Sequence, residues 1–253
     1  MTAPHDPRDR WPEDQRPDLW EDRADDEPAE GGQPPAPMVT PVIKILLIAN
    51  LAVFTLQIFG AFPFLITHFG LWPIHGGAAM EGLPFEDAPE FQFWQLITYA
   101  FLHGGLLHLF VNLFAMWMLG TQIEQSWGSR LFAKYFFYCV IGAGLVQLVV
   151  ATQAAVDGQI YPTVGASGGV FGILLAFGMM FPNQQLMLLF PPIPIRAKYF
   201  VIAYGAFELF AGMTGTMAGV AHFAHLGGML TGFLVIQYWR GRLPIKPRRP
   251  PFD

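Results

Sequence analysis

The chain has 253 residues, of which 53% are apolar and 13% charged, with a formal net charge of −5. Soluble domains carry about 25% charged residues, so the composition argues against an ordinary soluble fold, and the negative balance argues against a nucleic-acid binder. A single cysteine rules out a disulfide framework and a multi-cysteine zinc site.

The charges are unevenly placed. Residues 1–38 hold 11 of the 19 acidic residues and 4 of the 14 basic ones. They are rich in proline and nearly devoid of large aliphatic side chains. Such a segment buries too little apolar surface to offset its ordering entropy, so residues 1–40 are expected to form a disordered cytoplasmic tail. The tail is acidic and opens with no apolar run, so it does not read as a cleaved signal peptide. Residues 41–239 are mostly long apolar stretches, and residues 240–253 form a basic, proline-rich second tail.

A bilayer-spanning helix needs about 20 mostly apolar residues. Six stretches qualify in chain order: Val42–Phe62, Leu106–Glu124, Leu131–Thr152, Ala166–Phe181, Lys198–Met213 and His222–Tyr238. The fourth and fifth are short, as expected of helices that start below the membrane surface or face protein. The fold class read from this pattern is all-α, a polytopic membrane protein with six transmembrane helices.

Charge orients the six. The basic residues beyond the tail are Lys44, Arg130, Lys134, Arg196, Lys198, Arg240, Arg242, Lys246, Arg248 and Arg249. With six spans all of them fall on one side, and the opposite loops (63–105, 153–165 and 214–221) contain no Lys or Arg. Those loops instead carry Glu81, Glu86, Asp87, Glu90 and Asp157. The positive-inside rule then puts both termini in the cytoplasm. The pattern suggests a bacterial-type plasma (inner) membrane. The first outer loop is long, and its Phe91, Phe93, Trp94 and Tyr99 suit a membrane–water interface.

Polar groups inside spans are costly, so each needs a reason. His108 and Asn112 lie four apart in the second span and share one helix face. Gly165-Ala166-Ser167-Gly168-Gly169 opens the fourth, and His222 and His225 lie at the start of the sixth. Spans two, four and six all run inward, so His108, Asn112, Ser167 and His225 share one outer depth. A serine hydroxyl becomes a nucleophile when an imidazole takes its proton, and acyl transfer needs donors for the oxyanion. His108, the Asn112 amide and the Ser167 N–H are candidate donors. No acid lies beside His225 in sequence, so a Ser–His dyad is expected rather than a triad.

Gly168 and Gly172, like Gly228 and Gly232, are spaced four apart, which allows close helix approach. His225, Gly228 and Gly232 fall within about 60° around an ideal helix. Packing those faces together would bring His225 to Ser167. Each motif alone also fits ordinary helix packing or interhelical hydrogen bonding.

Three motifs together, His103-Gly-Gly-Leu-Leu-His108-Leu-Phe-Val-Asn112, Gly165-Ala-Ser167-Gly168 and Ala224-His225-Leu-Gly-Gly228-Met-Leu-Thr-Gly232, resemble those of the rhomboid family of intramembrane serine proteases. The resemblance covers Pro41 to Trp239. It implies Ser167 as nucleophile, His225 as general base, and His108 and Asn112 as oxyanion-stabilising groups. It also implies a six-helix bundle that cuts transmembrane protein substrates near the outer membrane face, surrounded by lipid, with no metal or cofactor. Gly165, Gly168, Gly228 and Gly232 are the packing glycines near the site.

The long first loop looks like the family's membrane-associated loop. Many members carry Trp-Arg there, where this chain reads Trp94-Gln95-Leu96. Glu124, in a turn that resembles the family's, is expected to cap or to pair with Arg130. Glu208, in the fifth span, is expected to be locally hydrogen-bonded or to border a substrate gate, and His222 to be a solvated residue at a helix start. Two other readings stand beside the protease: a non-catalytic relative that binds transmembrane clients, and a metal or proton transporter using His108, His222 and His225. Substrate identity and oligomeric state are not encoded legibly.

Overall fold

A computed structural model describes residues 37–74, 89–187, 192–215 and 221–245. The expected tail up to residue 36, Glu81, Glu86 and Asp87, most of the loop 214–221, and Lys246, Arg248 and Arg249 lie outside the described residues. From Met38 onward the chain forms one compact unit.

Helix α1 (Pro41–Leu56) begins at a proline, which suits the first helical turn because its missing N–H has no acceptor there. It runs into a short wide turn at Gln57–Ala61 and resumes as α2 (Phe62–Phe69). The break lies at Gly60, whose φ of 99° is open to glycine, and Pro63 restarts the helix beyond it. The rest of the first loop contributes a single helical turn, α3 (Gln95–Thr98). Then come α4 (Leu106–Trp127), α5 (Ser129–Val156) and α6 (Ser167–Met180). A small antiparallel pair follows, β1 (Gln185–Met187) with β2 (Pro194–Arg196), in the register Gln185 to Arg196. Helices α7 (Ala197–Thr214) and α8 (His222–Trp239) complete the order.

Helices thus form at all six apolar stretches. Among the described residues, three are long and apolar enough to cross a membrane: Pro41–Phe69, Leu106–Trp127 and Ser129–Val156. The surface is that of a lipid-facing bundle. Tyr199, Ile202, Phe207, Phe210 and Met213 of α7 are all exposed, while Asn50, Glu124, Gln147 and Glu208 are buried. An apolar exterior around an apolar core that also holds several polar side chains departs from the arrangement that water selects.

Helix α6 is the most enclosed, packing on α4, α5, α7 and α8, and α8 packs on α5, α6 and α7. A methyl on Gly228 of α8 would overlap the Gly168 carbonyl oxygen of α6, and one on Gly172 would overlap Cys139 of α5. Only hydrogen fits at these crossings. Tyr135 of α5 donates its hydroxyl to the Gly172 carbonyl at 2.7 Å, so the same crossing is locked by a buried hydrogen bond.

Glu124 shows how a buried acid is satisfied. Its carboxylate accepts from Thr40 Oγ1 at 2.5 Å, Val42 N at 2.9 Å, Ile43 N at 3.0 Å and Ser129 Oγ at 2.6 Å. The first N–H groups of α1 have no partner within their own helix, and the carboxylate supplies one at the positive end of the helix dipole. Glu124 therefore caps, as expected, but its partners are α1 and Ser129 rather than Arg130. Met38 and Thr40, assigned to the tail by composition, are tied into the helices: Trp117 Nε1 donates to the Met38 carbonyl at 3.0 Å.

The loop ahead of α4 is clamped by side-chain amides. Gln57 donates to the His103 carbonyl at 2.9 Å and accepts from its N–H at 3.0 Å. Gln95 is buried and accepts from the N–H groups of Trp72 and Gln92. Trp94 Nε1 donates to the His68 carbonyl at 2.9 Å. Leu71 and Thr163 exchange backbone hydrogen bonds, which straps this loop to the segment leading into α6.

Candidate functional site

The segment before α6 is shaped by one glycine. Gly165 has φ of 130°, a conformation that side chains rarely adopt. Its N–H donates to the Tyr99 carbonyl at 2.9 Å, and the Tyr99 hydroxyl donates to the Val140 carbonyl of α5 at 2.8 Å. The turn is thus fixed to the loop on one side and to α5 on the other. Ser167 follows as the first residue of α6. Its N–H is among the first four of that helix, which lack intrahelical acceptors. The hydroxyl is half-buried.

His225 lies one turn into α8. Its Nε2 is 2.8 Å from Ser167 Oγ. The ring stacks on Phe171 of α6, with centroids 4.1 Å apart and planes within 7°. Phe171 lies one turn beyond Ser167, so a single helix face supplies both the hydroxyl and the surface on which the imidazole rests. The backbone contact between Gly168 and Gly228 sets the two helices at the separation this requires.

The other ring nitrogen has a partner that was not expected. His225 Nδ1 is 2.9 Å from Glu208 Oε2, and His222 Nδ1 is 2.7 Å from the same oxygen. The expectation that His225 has no acid behind it is therefore corrected. The acid comes from α7, 17 residues earlier in the chain, so sequence adjacency could not reveal it. Glu208 is locally hydrogen-bonded, as one of its two expected readings had it. His222 is 5% exposed and bonded to Glu208, which replaces the expected solvated histidine.

His108 lies across the Gly165 turn. A methyl on Gly165 would sit 2.8 Å from His108 Nε2 and 3.6 Å from Ser167 Oγ, so ring and hydroxyl face one small space. His108 Nδ1 accepts the Gly104 N–H at 3.3 Å, which leaves the Nε2 proton directed away from that contact. Asn112 is 4% exposed, and its Nδ2 donates to the His108 carbonyl at 2.8 Å, one turn back on α4. A second amide hydrogen remains on that nitrogen. Ser167, His225 and His108 therefore gather around the start of α6, with Asn112 on the helix behind His108. Gly168, Gly228 and Gly232 lie in the helix contacts beneath; a methyl on Gly232 would overlap the Tyr135 hydroxyl.

The arrangement offers a hydroxyl paired with an imidazole, a buried carboxylate behind that imidazole, and N–H donors beside the hydroxyl. That is the equipment of nucleophilic acyl transfer.

Comparison with known proteins agrees on the class. The sequence profile described as the Rhomboid domain matches residues 90–242, and the chain belongs to the rhomboid family, whose members are polytopic membrane proteins and include intramembrane serine proteases. Similar proteins include rhomboid protein 1, mitochondrial, of Saccharomyces cerevisiae, 31% identical over 55% of this chain and 40% of that protein. The rhomboid protease GluP of Bacillus subtilis is 28% identical over 56% of this chain and 25% of its own length. The presenilin-associated rhomboid-like protein A, mitochondrial, of Danio rerio is 28% identical over 59% and 40%. The chain spans less than half the length of these relatives. Two of the three are mitochondrial by name, so the bacterial-type plasma membrane expected from the charge bias is not supported.

Proposed function

We propose that this protein is an intramembrane serine endopeptidase that cleaves transmembrane protein substrates near the outer membrane face. The observation that carries the reading is the 2.8 Å contact between Ser167 Oγ and His225 Nε2, in a chain of a family that includes proteases. Ser167 Oγ attacks the scissile carbonyl carbon as its proton passes to His225 Nε2. A C–O bond forms, and the carbonyl π pair moves onto oxygen. His108, Asn112 and the Ser167 N–H stabilise that oxyanion. His225 then gives its proton to the leaving amine as the C–N bond breaks, and water releases the acyl group by the same route. No step calls for a metal or cofactor.

We assign six crossings with both termini in the cytoplasm, on the strength of the one-sided distribution of Lys and Arg. Under that topology the start of α6 opens toward the outer face, where a substrate helix would leave the bilayer. Substrates would be recognised as transmembrane segments, and lipid would cover the apolar faces of α5 and α7.

The test is cleavage of a model transmembrane substrate by the full chain in liposomes, together with fluorophosphonate labelling. The expected result is cleavage and labelling by the wild type, and loss of both in Ser167→Ala. Cleavage that persists in Ser167→Ala or in His225→Ala overturns the reading. Client binding without cleavage or labelling would instead indicate a non-catalytic relative.

A further inference from the structure

We propose that Glu208 is a positioning residue for His225, so that the hydrolytic unit is Ser167–His225–Glu208 spread over α6, α8 and α7, with His222 as the second donor that holds the carboxylate in place. This deepens the function proposed above and rests on it.

The argument begins with cost. Glu208 is 2% exposed within an apolar bundle. A carboxylate there is strongly disfavoured unless donors surround it. Both of its donors are imidazole Nδ1 atoms, and both converge on Oε2 at 2.7 and 2.9 Å. One carboxylate oxygen has two lone pairs and can accept both hydrogen bonds.

The second step is tautomerism. A neutral imidazole carries one ring proton. To take the Ser167 proton, His225 must present a bare Nε2, so the ring proton must sit on Nδ1. A carboxylate accepts from Nδ1–H and offers nothing to a bare Nδ1. Glu208 therefore selects the tautomer in which Nε2 is the base. Ser167 in turn donates to Nε2, and Phe171 supports one ring face. Both nitrogens and one face of the ring are thereby fixed.

The third step is charge. When Ser167 loses its proton, His225 becomes an imidazolium next to a carboxylate in a region of low dielectric, where opposite charges attract more strongly than in water. Glu208 keeps its charge throughout and takes no proton. The titratable groups facing this pair are His222 on α8, Tyr204 one turn back on α7, and His108 on α4.

His222 has a separate task. The Glu208 side chain starts from a different helix and needs a fixed orientation. His222 lies one turn before His225 on α8, and its hydrogen bond holds Oε2 at the place where His225 Nδ1 meets it. The three ligand atoms also lie within 4.8 Å of one another, so a divalent cation is the rival occupant of this cluster. A cation would displace the Nδ1 proton and remove the tautomer control.

The experiment compares wild type, Ser167→Ala, Glu208→Gln, Glu208→Leu, Glu208→Asp and His222→Gln as full chains in liposomes. For Glu208→Gln the expected result is a fall in kcat of about 10- to 100-fold with KM within about twofold, since the effect falls on the protonated transition state. Glu208→Leu should fall further, Glu208→Asp should recover part of the rate, and His222→Gln should lose less than Glu208→Gln. The 15N spectrum of selectively labelled His225 should report the Nδ1–H tautomer in wild type and a mixture in Glu208→Leu. An unchanged kcat in Glu208→Gln overturns the proposal. So does activity that chelators abolish and added zinc restores. If the wild type neither cleaves nor labels at Ser167, the protease reading fails by itself. The tautomer measurement then still decides whether Glu208 orients His225.

Discussion

Gly228 of α8 meets the Gly168 carbonyl of α6 so closely that no side-chain carbon fits between them. The imidazole of His225 sits one turn above this contact and Ser167 one residue before it. The separation of the two reacting groups is therefore set by main-chain atoms.

Gly228→Ala should push α8 away from α6. Overpacking of this kind costs about 1–3 kcal/mol, and a displacement of roughly 1 Å at the site can reduce turnover about 100-fold. Thermal unfolding in detergent and substrate cleavage, measured on the same preparation, should show the rate falling by more than the folded fraction does. Wild-type turnover in Gly228→Ala would mean that the helix contact does not control the site.

Phe171→Leu removes the surface under the His225 ring while leaving both of its hydrogen bonds. Aromatic stacking is worth about 0.5–1.5 kcal/mol, so kcat should drop roughly 2- to 12-fold. Substrate binding should be unaltered, because the ring lies beneath the base. A rise in KM without a change in kcat would place Phe171 against substrate instead.

Glu124→Ala leaves the start of α1, Thr40 and Ser129 without their acceptor. Each lost hydrogen bond to a charged group is worth about 1.5–3 kcal/mol, and burial of the stranded donors adds to the loss. The unfolding midpoint in detergent should fall by several degrees or more, with cleavage per folded molecule unchanged. Unaltered stability would show that water replaces the carboxylate at no cost.

His103 gives a pH-dependent term. It lies ahead of α4, buried at 1% exposure. Burial pushes its pKa down to about 4, the neighbouring His108 adds to this, and the nearby Phe101 backbone opposes it. An unfolded chain titrates this ring near 6.5. Between those values the unfolded state binds more protons, so stability is complete above about pH 6.5 and declines toward pH 4. The span corresponds to about 3 kcal/mol. Unfolding measured from pH 7 to 4 should show His103→Phe less sensitive to acid than the wild type. Parallel curves would sink the assignment.

The helices were legible because apolar runs and one-sided charges mark them directly. The start of α4 at Leu106 and of α8 at His222 coincide with the sequence reading. The end of the first helix did not: the apolar run suggested Phe62, whereas the helix turns at Gly60 and continues to Phe69. A glycine in an apolar run does not announce a left-handed residue. At the site, the sequence motifs named Ser167, His225, His108 and Asn112, and the first three converge in space. Glu208 was visible only as an oddity. Its partners are chosen by the way α7 lies on α8, which no local spacing encodes. Glu124 was similar: Arg130 is near in sequence, but the unpaired N–H groups of α1 present a stronger need for a carboxylate. Gln95 keeps the loop closed with a neutral amide.

The capping of α1 by Glu124 also has a consequence for the order of assembly. Ile43 and Thr40 receive their hydrogen-bond partner from a residue 81 and 84 positions downstream. Helix α1 leaves the ribosome ahead of α4 and therefore waits with its leading end unfinished until the end of α4 and Ser129 have followed it. Synthesis makes α1 before α4, but the start of α1 is sealed only once the end of α4 exists, which makes α1 a late participant in its own fold.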